Sequence, residues 1–367
     1  MPESNLHKVD ALGQSVWIDS LSRDMLEEGE LARLMREDAV TGVTSNPTIF
    51  QKALAHGDRY DAQLKELAGE TDPREVFIAL AARDITAACE LMRGVWDEGV
   101  GLRGYVSMEV DPTLAYETEQ TYDQAVRFHE LVDRPNLYVK IPATQPGLPA
   151  IEDMIAAGKS INVTLIFSLQ RHREVMEAYV RGLERLVAGG GDPGPVSSVA
   201  SFFVSRVDTE ADRRLDEIGG HDGLKGKLAV ANARLAYQNW KEVFSGERWD
   251  FLASKGASKQ WCLWASTSTK NPDYPDTLYV DKLIGPDTVN TMPAETVTAF
   301  QDHGKVEETL EKRLNKAHKL LEELAAAGVD YDDVTETLEE EGVQKFADSF
   351  AELLDGIRAK RGEVVTA

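Results

Sequence analysis

Short apolar runs alternate along the chain with longer stretches that have helical spacing or helix-favouring composition. The longer stretches include residues 25–37, 73–97, 119–132, 169–187 and 224–244. The eight apolar runs that we interpret as β-strands are residues 16–21, 42–45, 104–110, 137–142, 161–167, 196–204, 261–266 and 289–292. Strands that alternate with helices predict a parallel sheet, so eight such units favour an α/β protein with a closed (β/α)8 barrel. An open, doubly wound sheet is the alternative.

The chain continues well beyond its eighth predicted strand, further than a minimal barrel requires. Residues 306–327 form an amphipathic helical stretch, residues 328–333 a turn and residues 348–361 a terminal helix. We expect these C-terminal helices, at about residues 300–361, to pack on one face of the barrel or to form a subunit contact. The whole chain, residues 1–367, is predicted to be one barrel domain.

The fourth predicted strand carries a lysine on its polar face. Side chains alternate across a strand, so Leu137, Val139 and Ile141 share one face and Lys140 lies on the other. In a barrel the apolar face meets the surrounding helices. Lys140 therefore points into the barrel near the carboxyl end of its strand, which is where barrel enzymes place their chemistry.

Two neighbouring strands direct polar residues to the same interior. Alternation places Glu109 inward on the third strand, and Asn162 and Thr164 inward on the fifth. On the fifth strand, Leu165 belongs to the outward set with Phe167. On the first strand, the aspartate at position 19 is a fourth candidate polar group for this interior.

A buried lysine is rare without a charged partner or a chemical role. Lys140 could form a core ion pair with Glu109 or Asp19. Alternatively, burial could favour its neutral amine, which is a nucleophile toward carbonyl groups. The strand pattern alone leaves both interpretations open.

Composition narrows the partners and the compartment. The 367 residues are 42% hydrophobic and 28% charged, as in ordinary globular proteins, and the net charge of −23 argues against nucleic acid or an anionic membrane as partner. There is no amino-terminal apolar segment typical of a signal peptide and no run of 18 apolar residues, so we expect a cytoplasmic protein. Cys89 and Cys262 are expected to be buried free thiols.

Four segments of the sequence share one family resemblance. They are residues 41–48 (TGVTSNPT), 106–111 (VSMEVD), 137–144 (LYVKIPAT, followed by Pro146-Gly147) and 161–168 (INVTLIFS). These segments, in this order, resemble the transaldolase family, whose Schiff-base lysine lies in the third of them. The resemblance extends from about residue 16 to residue 354.

The resemblance implies a barrel of the class I aldolase type that needs no cofactor and no metal. It also implies a place in the non-oxidative pentose phosphate pathway. The expected reaction moves a dihydroxyacetone unit from sedoheptulose 7-phosphate to glyceraldehyde 3-phosphate, which yields erythrose 4-phosphate and fructose 6-phosphate. Lys140 matches the Schiff-base lysine, and Asp19 the aspartate that takes the C4-hydroxyl proton. Glu109 and Thr164 resemble the pair that activates a water molecule, and Asn46 the asparagine that binds substrate hydroxyls.

The phosphate-binding residues are matched less closely. The segment SFFVSR resembles the family segment that ends in a phosphate-binding arginine, here Arg206, with Ser201 as a further ligand. Asn162, which faces inward beside Thr164, is a second candidate substrate contact. In the familiar pattern a serine is closely followed by another arginine, whereas here Ser266 is followed after two additional residues by Lys270. This departure suggests a distinct, longer bacterial-type subfamily.

Each assignment has a simpler alternative. Asp19 could cap a loop or helix, Asn46 could only shape the turn before Pro47, and Thr164 could only fill space. Arg206 could pair with Asp208 or Glu210. The whole chain could instead cleave fructose 6-phosphate without a transfer step, or bind sugar phosphates without catalysis. The seven histidines lack the spacing of a metal site, which disfavours a metal-dependent aldolase, and the expected assembly is a monomer or homodimer.

Overall fold

Eight parallel strands form a closed barrel in a computed structural model that describes residues 4–55, 57–99 and 102–366. Neighbours in the barrel follow chain order, and the eighth strand pairs back to the first. The predicted (β/α)8 architecture is therefore confirmed. The predicted extent of the domain, residues 1–367, includes residues 1–3, 56, 100, 101 and 367, which lie outside the described ranges.

The bounds of the elements follow chain order. The strands are β1 Gln14–Ile18, β2 Val40–Val43, β3 Tyr105–Glu109, β4 Leu137–Pro142, β5 Ile161–Ile166, β6 Ser198–Phe203, β7 Trp261–Ala265 and β8 Thr288–Met292. The helices are α1 Asn5–Ala11, α2 Arg23–Glu27, α3 Glu30–Glu37, α4 Pro47–Ala55, α5 Asp61–Glu66, α6 Pro73–Asp97, α7 Thr118–Val132, α8 Gly147–Ala156, α9 Leu169–Ala188, α10 Ser205–Ile218, α11 Leu228–Val243, α12 Glu247–Ser254, α13 Leu278–Asp281, α14 Ala294–His303, α15 Leu314–Ala326 and α16 Tyr331–Thr366.

Aromatic rings fill part of the barrel interior. Tyr105 of β3 stacks on Tyr138 of β4 with ring centroids 4.1 Å apart, and the ring of Trp17 lies 6.1 Å from that of Tyr138. On β2, a Cβ atom at Gly42 would lie only 2.4 Å from the Trp17 ring. Glycine is therefore required opposite Trp17, because any side chain would displace the indole from the packed interior.

A polar layer follows next along the same strands. Asn162 of β5 donates to Ser107 Oγ of β3 at 3.0 Å and accepts from Ser201 Oγ of β6 at 2.7 Å. These contacts agree with the inward orientation predicted from strand alternation for β3 and β5. The side chains satisfy one another, so the layer holds three strands in a fixed relation.

Strand alternation fails at the carboxyl end of β5. Leu165 has a left-handed backbone with φ of +60°, and the pairing of β5 with β6 is irregular between Val163 and Ile166. The predicted regular alternation up to Phe167 therefore breaks at Leu165, and β5 ends at Ile166. The side chains of Leu165 and Phe167 both approach α16, where a Cβ at Gly342 would lie 3.1 Å from Leu165 Cδ2 and 3.3 Å from Phe167 Cε2.

The segment predicted as one helix over residues 25–37 is two helices. α2 ends at Glu27 and α3 begins at Glu30, with Gly29 between them at φ +79°. A residue in the left-handed region ends a helix, and glycine adopts that conformation without steric cost.

The C-terminal region differs most from the prediction. Residues 306–313 are not part of an α-helix, and α15 begins at Leu314. α16 is 36 residues long, so it starts earlier and ends later than the predicted helix over residues 348–361. Asp330 precedes α16 and caps its amino terminus, since its Oδ1 accepts from the backbone N–H of Asp332 at 3.0 Å. α16 packs on α4, α5, α6, α10 and β5, so the C-terminal helices do cover one face of the barrel.

Three smaller findings concern the described residues. Cys89 and Cys262 are buried free thiols, as predicted, and burial raises the pKa of Cys89 to about 12. None of the helices in these ranges is long and apolar enough to cross a membrane.

The same ranges contain no group of three or more His, Cys, Asp or Glu side chains arranged to hold a metal ion.

Candidate active site

A cavity of about 310 Å³ opens at the carboxyl ends of the barrel strands. Its walls come from the ends of β1, β2, β4, β5, β6, β7 and β8 and from α16. Eight of the ten predicted site residues line it: Asp19, Asn46, Lys140, Thr164, Ser201, Arg206, Ser266 and Lys270. The structure therefore brings together residues that are up to 251 positions apart in the sequence.

Lys140 is buried, with its side chain 6% exposed. Its Nζ atom donates to Glu109 Oε2 at 3.1 Å and to the backbone oxygen of Ser45 at 3.3 Å. The ring of Phe346 on α16 lies 5.6 Å from Nζ. The ion pair between Lys140 and Glu109, considered above as an alternative, is thus formed in the structure. It does not exclude chemistry, because the amine also faces the cavity.

Glu109 lies behind Lys140 and does not line the cavity itself. Burial raises the pKa of Glu109, whereas the positive charge of Lys140 lowers it and Asp19 adds to the rise. Its second oxygen, Oε1, is buried and has no hydrogen-bond partner among the described residues, and neither has Thr164 Oγ1. Buried polar atoms without a protein partner are typical positions for a bound water molecule or substrate group.

Asp19 is held by hydroxyl groups. Thr44 of the loop after β2 donates to Asp19 Oδ1 at 2.6 Å, and Thr291 of β8 lies 2.7 Å from the Thr44 hydroxyl. A hydroxyl has one proton, so Thr44 donates to the carboxylate while it accepts from Thr291. This arrangement fixes the carboxylate at the cavity wall.

Asn46 has a local structural task at the cavity wall. Its Oδ1 accepts from the backbone N–H of Ile49 at 3.0 Å, which satisfies a free donor at the start of α4. Asn46 therefore does shape the turn before Pro47, as the simpler alternative stated. The cavity position of Asn46 remains compatible with substrate binding.

Asn162 is the second predicted residue that does not line the cavity. It is fully buried, and its amide is engaged by Ser107 and Ser201. Ser201 lines the cavity, but its hydroxyl proton is donated to Asn162 Oδ1. In this structure Asn162 positions Ser201 and does not face the cavity.

Arg206 forms no salt bridge with an acidic residue of the described ranges. Asp208 instead accepts from the backbone N–H of Ala229 at 2.7 Å and from the hydroxyl of Tyr279 at 2.8 Å. Glu210 pairs with arginines of its own helix, α10. Arg206 Nη1 is buried without a hydrogen-bond partner among the described residues, and burial lowers the pKa of its guanidinium. The alternative of a salt bridge from Arg206 to Asp208 or Glu210 is therefore wrong.

Ser266 and Lys270 lie near Arg206, after β7. Ser266 has a left-handed backbone, with φ of +56°, and its hydroxyl lies 2.9 Å from that of Ser205. Lys270 donates to Ser268 at 2.7 Å. Lys270 is exposed at the cavity mouth, yet partial desolvation lowers its pKa, and the positive charge of Arg206 lowers it further. Two cations that repel each other at one wall form a suitable site for an anion.

The sequence did not point to several other side chains that line the cavity. Phe346 of α16 lines the cavity. The alternation of residues along the strands gives no information about a helix so far along the chain. Thr48 and Lys52 lie on α4, directly after Asn46, and line the same wall. They are four residues apart, a spacing that places two side chains on one face of a helix. Glu295 follows the carboxyl end of β8, the position that barrel enzymes use for function.

Together these groups can perform two tasks. A buried amine beside a carboxylate can form an imine with a carbonyl compound, because proton transfer is available next to the nucleophile. Arg206 and Lys270, which form no salt bridge within the described ranges, can bind a phosphate group on the same molecule. The arrangement therefore suits a small phosphorylated carbonyl compound.

Comparison with known protein families gives a match over most of the chain. The family model described as transaldolase/fructose-6-phosphate aldolase matches residues 16–357. The match includes the barrel from Val16 of β1 onward and most of α16.

Curated relatives resemble the chain along nearly its full length, and each is named transaldolase. The protein of Frankia alni is 52% identical over 361 residues, with 97% of both chains covered. The protein of Acidothermus cellulolyticus is 51% identical, with 97% of this chain and 99% of the relative covered. The protein of Mycobacterium tuberculosis is 50% identical, with 97% of this chain and 96% of the relative covered.

Proposed function

The chain belongs to the transaldolase/fructose-6-phosphate aldolase family, and we propose on this premise that it is a transaldolase. It transfers a dihydroxyacetone unit from sedoheptulose 7-phosphate to glyceraldehyde 3-phosphate, which gives erythrose 4-phosphate and fructose 6-phosphate. The observation that carries the proposal is the buried amine of Lys140, 3.1 Å from Glu109 Oε2, in a cavity that also contains the unpaired guanidinium of Arg206.

The first step is covalent. A proton leaves Lys140 Nζ, and the neutral amine attacks the ketose carbonyl carbon to form a carbinolamine. Loss of the carbinolamine hydroxyl as water gives a protonated imine. Glu109 and Thr164 serve this proton transfer through a water molecule bound between Glu109 Oε1 and Thr164 Oγ1, the two buried atoms that lack protein partners.

The second step breaks a carbon–carbon bond. Asp19 takes the proton of the C4 hydroxyl, the C3–C4 electron pair moves into the imine, and the aldose leaves as an aldehyde. The enamine of dihydroxyacetone stays on Lys140. Thr44 holds the Asp19 carboxylate at the cavity wall for this transfer. The acceptor aldehyde then reacts in reverse order, and hydrolysis releases the new ketose.

The phosphate group is bound by the cations across the cavity. Arg206 can give two parallel hydrogen bonds to phosphate oxygens, whereas Lys270 acts as a point charge. Ser266 and Ser201 line the same part of the cavity, while Asn162 contributes by orienting Ser201. Asn46 binds sugar hydroxyls from the start of α4.

The test is chemical trapping. The protein is reduced with borohydride in the presence of fructose 6-phosphate and digested, and the peptides are analysed by mass spectrometry. The expected result is a dihydroxyacetone adduct on Lys140 and on no other lysine. A Lys159→Met variant, altered at a lysine outside the cavity, is the matched control and should be labelled normally. A lack of adduct on Lys140 would refute the covalent mechanism.

Transfer is distinguished from simple cleavage by product analysis. With fructose 6-phosphate and erythrose 4-phosphate, a transaldolase forms sedoheptulose 7-phosphate. Free dihydroxyacetone as the main product would instead indicate an aldolase. We further propose that residues 1–367 form one domain that acts in the cytoplasm as a monomer or homodimer, which gel filtration with light scattering can test.

A further inference from the structure

A second and larger cavity lies in the outer layer of helices and shares no lining residue with the Lys140 cavity. We call it the cationic cleft. Its volume is about 760 Å³, and its walls come from α11, from the segment around α13 and from α15 with the residues that precede it. α11 and α15 pack against each other, so the cleft lies beside their contact.

Positive charge is concentrated in the cationic cleft. Seven lysine or arginine side chains line it, against two glutamates. Both glutamates are already paired, Glu307 with Lys312 and Glu323 with Lys319. Five cations form no salt bridge within the described ranges: Lys227, Arg234, Lys282, Arg313 and Lys316. In a chain with a net charge of −23, the local field of the cleft is therefore opposite to that of the molecule.

Arg234 of α11 gives an independent indication that the cleft suits an anion. The residue is only 9% exposed, and its Nε atom is buried without a hydrogen-bond partner among the described residues. Its Nη2 atom donates to the backbone oxygen of Lys282 at 3.2 Å. Burial lowers the pKa of Arg234, and the charge of Arg313 lowers it further. A buried guanidinium without a counter-charge is costly, and a bound anion would remove that cost.

The walls of the cleft are held in place by backbone contacts. Thr309 and Leu310 donate their N–H groups to the oxygen of Ile284 at 3.0 and 3.1 Å. Arg313 then adopts a left-handed backbone with φ of +63° immediately before α15. The free N–H groups at the start of this helix lie beside Arg313 and Lys316, so the helix terminus adds to the positive field.

Apolar side chains line the rest of the cleft. Val230 and Ala231 of α11, Leu278 of α13, and Ala317 and Leu320 of α15 contribute this surface. A ligand that uses the whole cleft therefore has an apolar body as well as negative charge. Its space exceeds the roughly 310 Å³ of the Lys140 cavity, so the ligand is larger than a sugar monophosphate.

We infer that the cationic cleft binds an organic polyphosphate of nucleotide size, with its phosphates at Arg234, Arg313 and Lys316 and its apolar body against α11 and α15. The site is separate from the Lys140 cavity, and binding there does not depend on the proposed transaldolase reaction. At least two phosphate groups are needed to offset the unpaired cations.

The test uses ADP as the probe in isothermal titration calorimetry. All proteins carry Arg206→Gln, so that ADP cannot bind through the other phosphate-binding arginine. The double variant Arg313→Gln/Lys316→Gln removes two exposed cleft cations without removing a buried group. The expected result is binding to the parent protein and at least about tenfold weaker binding to the double variant.

Two controls make the result specific. The variant Arg181→Gln/Arg185→Gln removes the same charge from exposed positions on α9 and should bind ADP as the parent does. In an otherwise unaltered chain, Arg313→Gln/Lys316→Gln should also leave the transaldolase rate unchanged. Pyrophosphate should bind more weakly than ADP, because it lacks the apolar body.

Three results would overturn the inference. The first is no heat of binding with ADP at about 1 mM, which corresponds to an affinity too weak for a built site. The second is equal affinity of the parent protein and Arg313→Gln/Lys316→Gln. The third is pyrophosphate binding as tight as that of ADP, which would contradict an organic ligand.

Discussion

The two sides of the Lys140 cavity satisfy their positive charges in different ways. On the β4 side, Lys140 is paired with the buried carboxylate of Glu109 and is held by a backbone oxygen. On the β6–β7 side, Arg206 has a buried donor without a partner among the described residues, and Lys270 donates to the hydroxyl of Ser268. The Lys140–Glu109 pair is neutral as a unit. Arg206 and Lys270 form no salt bridge within the described ranges and interact only at longer range with Glu341, Glu295 and Asp19.

This difference separates chemistry from binding. A preformed Lys140–Glu109 pair keeps the nucleophile and its proton partner in contact before substrate arrives, so reorganisation is small. In the proposed function, Arg206 and Lys270 form ion pairs only with the bound phosphate, so the energy of these pairs contributes to substrate affinity. Variants on the two sides should therefore change different kinetic constants.

The largest effect is expected on the β4 side. Lys140→Met removes the nucleophile and leaves Glu109 as a buried carboxylate without its partner. We expect kcat to fall by about 10⁴-fold or more, since covalent catalysis is lost. Stopped assays of transfer to erythrose 4-phosphate measure this change. Circular dichroism shows whether the barrel remains folded, and near-normal transfer by a folded variant would contradict the mechanism.

The next effect concerns the water position between Glu109 and Thr164. Thr164→Val keeps the shape of the side chain but removes the unpartnered hydroxyl, whereas Thr164→Ser keeps it. We expect kcat to fall by about 100-fold in the valine variant, with a smaller loss in the serine variant. Adduct formation on Lys140, followed by borohydride trapping over time, should slow in parallel. Equal rates in the two variants would exclude a role for the hydroxyl.

The regular parts of the molecule could be predicted from the sequence. β4 has the predicted bounds, and alternation correctly placed Lys140 inward beside Glu109. This works because period-two alternation is a local property of any extended chain between two layers. The rule fails at Leu165, where the backbone is left-handed, because a leucine in the sequence does not indicate that conformation.

Long-range packing could not be predicted in the same way. Apolar residues of α16 recur at Val334, Leu338, Phe346 and Phe350, in four-residue steps, but Gly342 interrupts the series after an acidic run. Gly342 leaves room for Leu165 and Phe167, because α16 meets the end of β5 there. The sequence alone does not show this contact. Phe346 above Lys140 has the same origin.

On the β6–β7 side the main effect should be on affinity. Arg206→Gln removes a charge that forms no salt bridge with an acidic residue of the described ranges. We expect KM for fructose 6-phosphate to rise by about 100-fold with kcat changed much less, because a charge-assisted pair to phosphate is lost. Unphosphorylated fructose is the discriminating substrate. Its kcat/KM should be nearly the same in both proteins, and a parallel loss with fructose would place Arg206 in the chemical step.

Lys270 should contribute least, and its replacement tests what kind of phosphate ligand it is. The side chain is exposed and donates to Ser268, so Lys270→Gln should raise KM for fructose 6-phosphate by only about tenfold. Lys270→Arg keeps the charge and offers a planar fork in its place. If Lys270 acts as a point charge, the arginine variant keeps most of the affinity at low salt, and the defect of Lys270→Gln shrinks as ionic strength rises. A defect in Lys270→Arg as large as that in Lys270→Gln would show that the ammonium position, rather than its charge, matters at this wall.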